Sequence, residues 1–228
     1  RQKIGYLPET VSIYPSLTGL EVLNFFAKLK GQPLSKNRAL LSRVGLSSAI
    51  NRRVRTYSKG MRQRLALAQA MLGEPQILLF DEPTTGLDPA SRQLFYQIVS
   101  EFRAKGATIL LSSHALTEIQ AQTDRIIVMQ NGHKIADGSL GELRAQSDLK
   151  SQIVLSFESA QAAEASQLAT NQEWQVLDGH RFTSYCDEHD KVRKIQSLGS
   201  FQGVNGIDIH SPSLDDIYAH FLRREDSL

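Results

Sequence analysis

Apolar residues recur along the chain with two periods, and the switches between them mark out the elements. The opening stretch Lys3-Ile4-Gly5-Tyr6-Leu7 reads as a strand. Thr18-Gly19-Leu20-Glu21 fits a capping box, and Leu23, Phe26, Ala27 and Lys30 follow at helical spacing, which predicts a helix to about Gly31. A second short helix is expected from Ser35. A third starts at Ser58 and carries Leu65, Ala66, Ala70 and Met71 until Gly73 and Pro75 stop it. Together they make a mostly helical block over about 18–73. Ile77-Leu78-Leu79-Phe80 then suits a parallel strand buried on both faces, with Asp81 at its carboxyl end. Asp88 caps the next helix with Pro89 at its first position, Leu94, Phe95, Ile98, Val99 and Phe102 form its apolar stripe, and Gly106 ends it. Ala107 to Leu111 is a second buried strand, so strand, helix and strand predict a right-handed βαβ unit. Arg125–Met129 and His133–Asp137 flank Asn131-Gly132, a strong hairpin signal, and this hairpin is expected to close the sheet.

Beyond Gly138 the pattern changes. A helix to about Gln146, a strand over Ile153–Phe157 and an alanine-rich helix from Ser159 come first. Strand, Asp178-Gly179 turn, strand, helix, strand and a final helix capped by Ser213 follow. This βαββαβ order with a tail helix resembles a split-βαβ, ferredoxin-like module. The expected organisation is an α/β domain over 1–146 and a small α+β module over 147–228.

Composition narrows the function classes. The 228 residues are 41% hydrophobic and 22% charged, ordinary for a globular protein, and no apolar run approaches the roughly 18 residues of a membrane span. Any membrane contact is then expected through a partner. A net charge of +2 is too small to argue for nucleic acid, and Arg52, Arg53, Arg55, Arg62 and Arg64 read as solvated helix surface. The single Cys186 makes no internal disulfide, in keeping with a reducing, cytoplasmic setting. Arg1 at the start, without a methionine or signal pattern, reads as an internal start. His180, Cys186 and His189 are the donor types nearest to a metal cluster, and the expectation is that they are incidental.

Three segments carry chemistry. Asp81 and Glu82 end a buried strand, at the edge where open α/β sheets bind ligands. In phosphoryl transfer to water a carboxylate holds Mg²⁺ and a neighbouring base orients the water, so Asp81 is the magnesium candidate and Glu82 the base. A plain pair of capping acids is the alternative; the strand before and the Pro-Thr-Thr-Gly-Leu-Asp-Pro after it favour the site. Tyr57-Ser58-Lys59-Gly60-Met61 opens a helix, where free backbone N–H groups attract a phosphate; Ser-x-Gly alone reads far more readily as a plain N-cap, and its place one helix before the Asp-Glu strand is what favours the site. His114 follows Ile109-Leu110-Leu111-Ser112-Ser113 at another strand end and is expected to face the same crevice, where it can hydrogen-bond a γ-phosphate.

In this order the segments resemble the ATP-binding subunits of ABC transporters. Tyr57 to Met61 matches the signature motif, Ile77 to Glu82 Walker B, Gly86-Leu87-Asp88 the D-loop and His114 the switch histidine, over roughly residues 1–145. The resemblance implies a P-loop NTPase-type fold with a helical subdomain, ATP and Mg²⁺ as ligands, and a head-to-tail homodimer. In that dimer Ser58, Lys59, Gly60, Met61 and Asp88 of one subunit complete the partner's site. It also implies an integral membrane transporter subunit, moved through the segment between Glu9 and Asn24, and a place on the cytoplasmic face of a bacterial inner membrane. Two departures stand out. Glu9 occupies the Q-loop position of the usual glutamine, within reach of Mg²⁺ or water in the family. No G-x-x-x-x-G-K-[ST] occurs, so a chain truncated at its N-terminus, without the Walker A loop and inactive by itself, is expected.

Longer stretches resemble one branch of the family. Gly5 to Glu9, Tyr14 to Thr18, Arg52 to Arg64 and His210 to Tyr218 are similar to the ATPase subunit of the nitrous-oxide-reductase maturation transporter. That branch implies a periplasmic partner and copper or sulfur handling, with the metal chemistry left to partners. A soluble ABC ATPase acting on protein or nucleic acid, or a non-enzymatic regulatory module, are the alternatives.

Overall fold

The computed structural model describes residues 2–159, 168, 173–198 and 203–225. The chain divides into two compact units, Arg1–His114 and Ala115–Leu228.

In the first unit β1 (Ile4–Leu7), β2 (Ile77–Asp81) and β3 (Thr108–Ser112) form a parallel sheet in the order β1-β2-β3, with Leu7 opposite Phe80 and Phe80 opposite Leu111. Between β1 and β2 the chain is helical: α1 (Gly19–Leu29), α2 (Asn37–Arg43) and α3 (Lys59–Ala70), with short 3-10 turns between them. Thr18 and Glu21 make the capping box reciprocally, Thr18 Oγ1 accepting from Glu21 N at 3.2 Å and Glu21 Oε2 from Thr18 N at 2.7 Å. α4 (Pro89–Ala104) joins β2 to β3. Leu7, Leu23, Leu65, Leu78, Phe80, Phe95 and Phe102 belong to one core cluster, in which Phe80 meets Phe95 edge to face at 5.4 Å. The sheet is buried on one face rather than on both, as the continuous apolar run of β2 had suggested. Leu78 and Phe80 point into the cluster with α3 and α4, whereas Ile77 is 41% and Leu110 60% exposed on the other side. Gly5 sits where α3 ends against β1, and a Cβ there would come within 2.2 Å of the Ala70 carbonyl oxygen.

The second unit begins with α5 (Leu116–Ile119), β4 (Ile126–Gln130) and β5 (His133–Gly138). Asn131 and Gly132 have φ of +49° and +80°, the left-handed pair that a tight hairpin turn demands. The hairpin does not close the parallel sheet, as expected from its position in the chain. It is a two-stranded sheet of its own, and Val128 and Ala136 are buried with Leu143 of α6 (Leu140–Ser147) and Ile217 and Phe221 of α8 (Leu214–Glu225). That shared cluster ties residues 115–147 to the C-terminal half, and the second compact unit begins at Ala115. β6 (Ser151–Phe157), β7 (Gln175–Asp178), β8 (Arg181–Cys186) and β9 (Val204–His210) make an antiparallel sheet in the order β7-β8-β6-β9, with α7 (Lys191–Ser197) between β8 and β9. Ile153, Leu155 and Phe157 of β6 and Phe182 of β8 share a core with Trp174. The alanine-rich helix expected from Ser159 lies almost wholly outside the described residues.

Candidate active site

The site grows from the carboxyl edge of the parallel sheet. β2 and β3 are in register as far as Asp81 opposite Ser112, so two polar side chains end adjacent strands side by side. Ser112 Oγ donates to Asp81 Oδ1 at 2.7 Å and accepts from Glu82 N at 3.2 Å. One hydroxyl therefore fixes the Asp81 carboxylate and the backbone of the next residue together.

Glu82 turns the chain. Its φ is +46°, a left-handed backbone that costs a non-glycine residue about 1 kcal/mol, and such strain persists where the surroundings impose it. The turn brings its side chain back over the strand ends. His114, two residues past β3, approaches with Nδ1 at 2.7 Å from Glu82 Oε2, and Thr85 Oγ1 donates to the same oxygen at 3.5 Å. The two partners differ in access to water: the Glu82 side chain is 18% exposed and that of His114 78%. An imidazole engaged through Nδ1 keeps Nε2 as its second polar atom, as a group that must bond a ligand while positioning a base requires. Glu9 is exposed two residues beyond β1, on a loop leaving the same carboxyl edge.

The signature segment packs beside this edge. Ser58 caps α3 by accepting from Met61 N at 3.2 Å, so the hydroxyl serves as an N-cap, one of the two roles its position allows. Lys59 and Gly60 open the helix, and Gly60 lies close to the Gly86 carbonyl, 3.6 Å from the position a Cβ would take. Gly86 has φ +77°, and its added Cβ would meet Lys59 Cδ at 2.8 Å. Gln63, buried on the same helix, donates through Nε2 to the Pro83 carbonyl at 3.2 Å. Asp88 caps α4 by accepting from Ser91 N at 2.8 Å and Ser91 Oγ at 3.0 Å, and these bonds, the backbone one foremost, hold its carboxyl below the usual range.

Asp81, Glu82 and His114 are thus joined in one hydrogen-bonded group through Ser112, and Ser58 to Met61 with Asp88 flank the loop between Pro83 and Leu87. Ser112, Thr85 and Gln63 are the members that sequence reasoning gave no role. A serine ending an apolar strand has no periodic signal of its own, though its register with Asp81 follows once β2 and β3 are paired. The donor set is all oxygen at the strand ends, Asp81, Ser112 and Glu9, and suits a hard cation such as Mg²⁺; the free amides at the α3 start suit a phosphate.

Known proteins place this geometry in a family. The profile described as ABC transporter matches residues 1–85. An uncharacterized ABC transporter ATP-binding protein of Nostoc sp. is 31% identical across 100% of the chain and 68% of its own length. The ABC transporter ATP-binding protein NatA of Bacillus subtilis is 40% identical over 63% of the chain and 60% of its own length. The Nod factor export ATP-binding protein I of Burkholderia orbicola is 30% identical over 99% of the chain and 74% of its length. A solved structure titled as the ATP binding subunit of an ABC transporter superposes with a TM-score of 0.60 at 34% identity, covering 64% of this chain and 62% of that one. Among the described residues no helix is long and apolar enough to cross a membrane. Sequence, sheet topology and relatives agree, and the chain belongs to the ATP-binding subunits of ABC transporters.

Proposed function

We propose that the chain is the ATP-hydrolysing motor of a membrane transporter, with Glu82 as general base and His114 as the residue that positions it and meets the γ-phosphate. The observation that carries this reading is the 2.7 Å contact between His114 Nδ1 and Glu82 Oε2, one residue past the Asp81–Ser112 bond. Glu82 is mostly shielded from water and aimed by its strained backbone, so its free oxygen can take a proton from a water held at the strand ends. Asp81, with Ser112 and Glu9 nearby on the same edge, would hold Mg²⁺, which when bound neutralises charge on the phosphates. The strongly bonded Asp88 and the α3 start, Ser58, Lys59, Gly60 and Met61, act across a homodimer on the other subunit's nucleotide. ATP binding closes that dimer, hydrolysis opens it, and the loop after Glu9 passes the movement to an integral membrane subunit at the cytoplasmic face.

The C-terminal sheet fits a ferredoxin-like accessory module: the order β7-β8-β6-β9, antiparallel throughout, is what split-βαβ connectivity requires. The narrower reading, copper or sulfur handling for nitrous-oxide reductase with a periplasmic partner, rests on the sequence stretches alone. Relatives named for linearmycin resistance and for Nod factor export are similar to this chain in sequence at 35% and 30% identity, so the proposal for cargo stops at a transported solute.

The test is nucleotide-driven dimerisation of the complete gene product. Glu82→Gln with Mg²⁺ and ATP should run as a stable dimer in size-exclusion chromatography while the wild type returns to monomer as ATP is consumed. A Glu82→Gln protein that never dimerises with ATP contradicts the sandwich.

A further inference from the structure

The C-terminal sheet carries an edge that the ATPase reading does not use. β9 pairs with β6 on one side, Gln152 opposite His210, Ile153 opposite Ile209 and Val154 opposite Asp208. Its other side pairs with no strand among the described residues. Unpaired edges are commonly protected by lysine, proline or a bulge; Val-Asn-Gly-Ile-Asp-Ile-His contains neither residue, its one register shift lies at the strand start between Val204 and Gly206, and Ile207 and Ile209 beyond it are 44% and 42% exposed. The side chains of Asp208 and His210 are exposed too, and neither has a hydrogen-bond or ion-pair partner among the described residues.

Two copies can join along such an edge about a two-fold axis normal to the sheet. Directly opposed residues in antiparallel strands share a face, so only registers centred on a residue are allowed. Centred on Asp208, the two Asp208 carboxylates oppose each other, which is unfavourable. Centred on Ile207, Asp208 faces Gly206 and gains nothing. Centred on Ile209, Asp208 lies opposite the partner's His210 and His210 opposite the partner's Asp208, while Ile209 packs on its own copy on the face that carries Ile153. Among these three, only that register sets each Asp208 carboxylate against a side chain that can donate a hydrogen bond to it while Ile209 packs on its own copy.

We infer that β9 is a self-pairing edge, joining two copies of this chain into one continuous sheet in the register centred on Ile209. The contact is isologous, each side meeting the same strand of the other. A single strand pair is small beside the roughly 1,200 Å² of a standard interface, so the association is weak by itself and adds to other contacts between the copies. It requires no nucleotide, and its test is therefore separate from that of the ATP site.

Disulfide trapping reads the register. Directly opposed Cα atoms in antiparallel strands lie about 4.5–5.5 Å apart, within disulfide reach. Ile209→Cys in the full chain, oxidised without nucleotide, should give a covalent dimer on a non-reducing gel. Ile207→Cys, Asp208→Cys and the wild type, whose Cys186 is buried, should stay monomeric. Absence of the Ile209→Cys dimer, or equal trapping at 207 or 208, overturns the proposal. A second measurement avoids the new cysteine: His210→Glu sets carboxylate against carboxylate and should raise the dimer dissociation constant roughly fivefold in sedimentation, with Asp208→Lys added to it restoring association. An unchanged constant in His210→Glu overturns the pairing equally.

Discussion

His114 is the most informative single residue. It is largely exposed, and its short contact is with Glu82, so its removal should leave the fold intact. His114→Ala is expected to lower kcat tenfold or more, on the scale of about 10²–10⁴ for a positioned proton-transfer group, while ATP affinity shifts only slightly. Steady-state kinetics beside equilibrium binding of labelled ATP separates the two; equal losses in both would make His114 a binding residue only. Asp81, Glu82 and His114 were all legible in the chain, because each follows a short apolar strand and the crevice of an α/β sheet lies at those ends. The bond network was not. That Ser112 holds Asp81 and the Glu82 amide follows from strand register, and the +46° φ of Glu82 follows from the turn those bonds impose.

At the scale of elements, the loop between β2 and α4 depends on Gly86. Its φ of +77° excludes ordinary side chains, and the nearest obstacle to a Cβ is the flexible Lys59 side chain. Gly86→Ala should therefore cost about 1–2 kcal/mol, chiefly from the backbone, as measured by denaturant unfolding. A neutral effect would show that the loop relaxes freely. The hairpin offers a pH test. Arg125 Nε bonds Asp137 at 2.7 Å and Lys134 Nζ at 3.0 Å, and these bonds, that of Arg125 foremost, hold the Asp137 carboxyl below its ordinary value. A depressed folded pKa contributes stability above the unfolded value of about 3.9, lost as pH falls through the lower folded one. The melting temperature of wild type should thus exceed that of Asp137→Asn near neutrality, with the gap closing as the solution is taken towards pH 3. A gap that persists at low pH would assign the difference to packing. The hairpin itself was readable from Asn131-Gly132, since both residues must adopt positive φ. Its partners were not, because Val128 and Ala136 alternate in the same way whether they extend a sheet or pack on α6 and α8.

For the whole molecule, the chain divides into two units with cores of their own; the proposed nucleotide chemistry lies on the parallel sheet and the proposed association on the antiparallel one. Sequence order alone placed the division at 146/147, where the family resemblance ends. The second compact unit begins at Ala115, because Leu143, Ile217 and Phe221 bury the hairpin within it. The central claim is that the strand-end group hydrolyses ATP, and it is most directly tested by steady-state phosphate release from the complete gene product, wild type against Glu82→Gln. The account predicts Mg²⁺-dependent turnover in the wild type and a loss of about a hundredfold or more in Glu82→Gln with nucleotide still bound. Turnover that survives the substitution at near wild-type rate would contradict it.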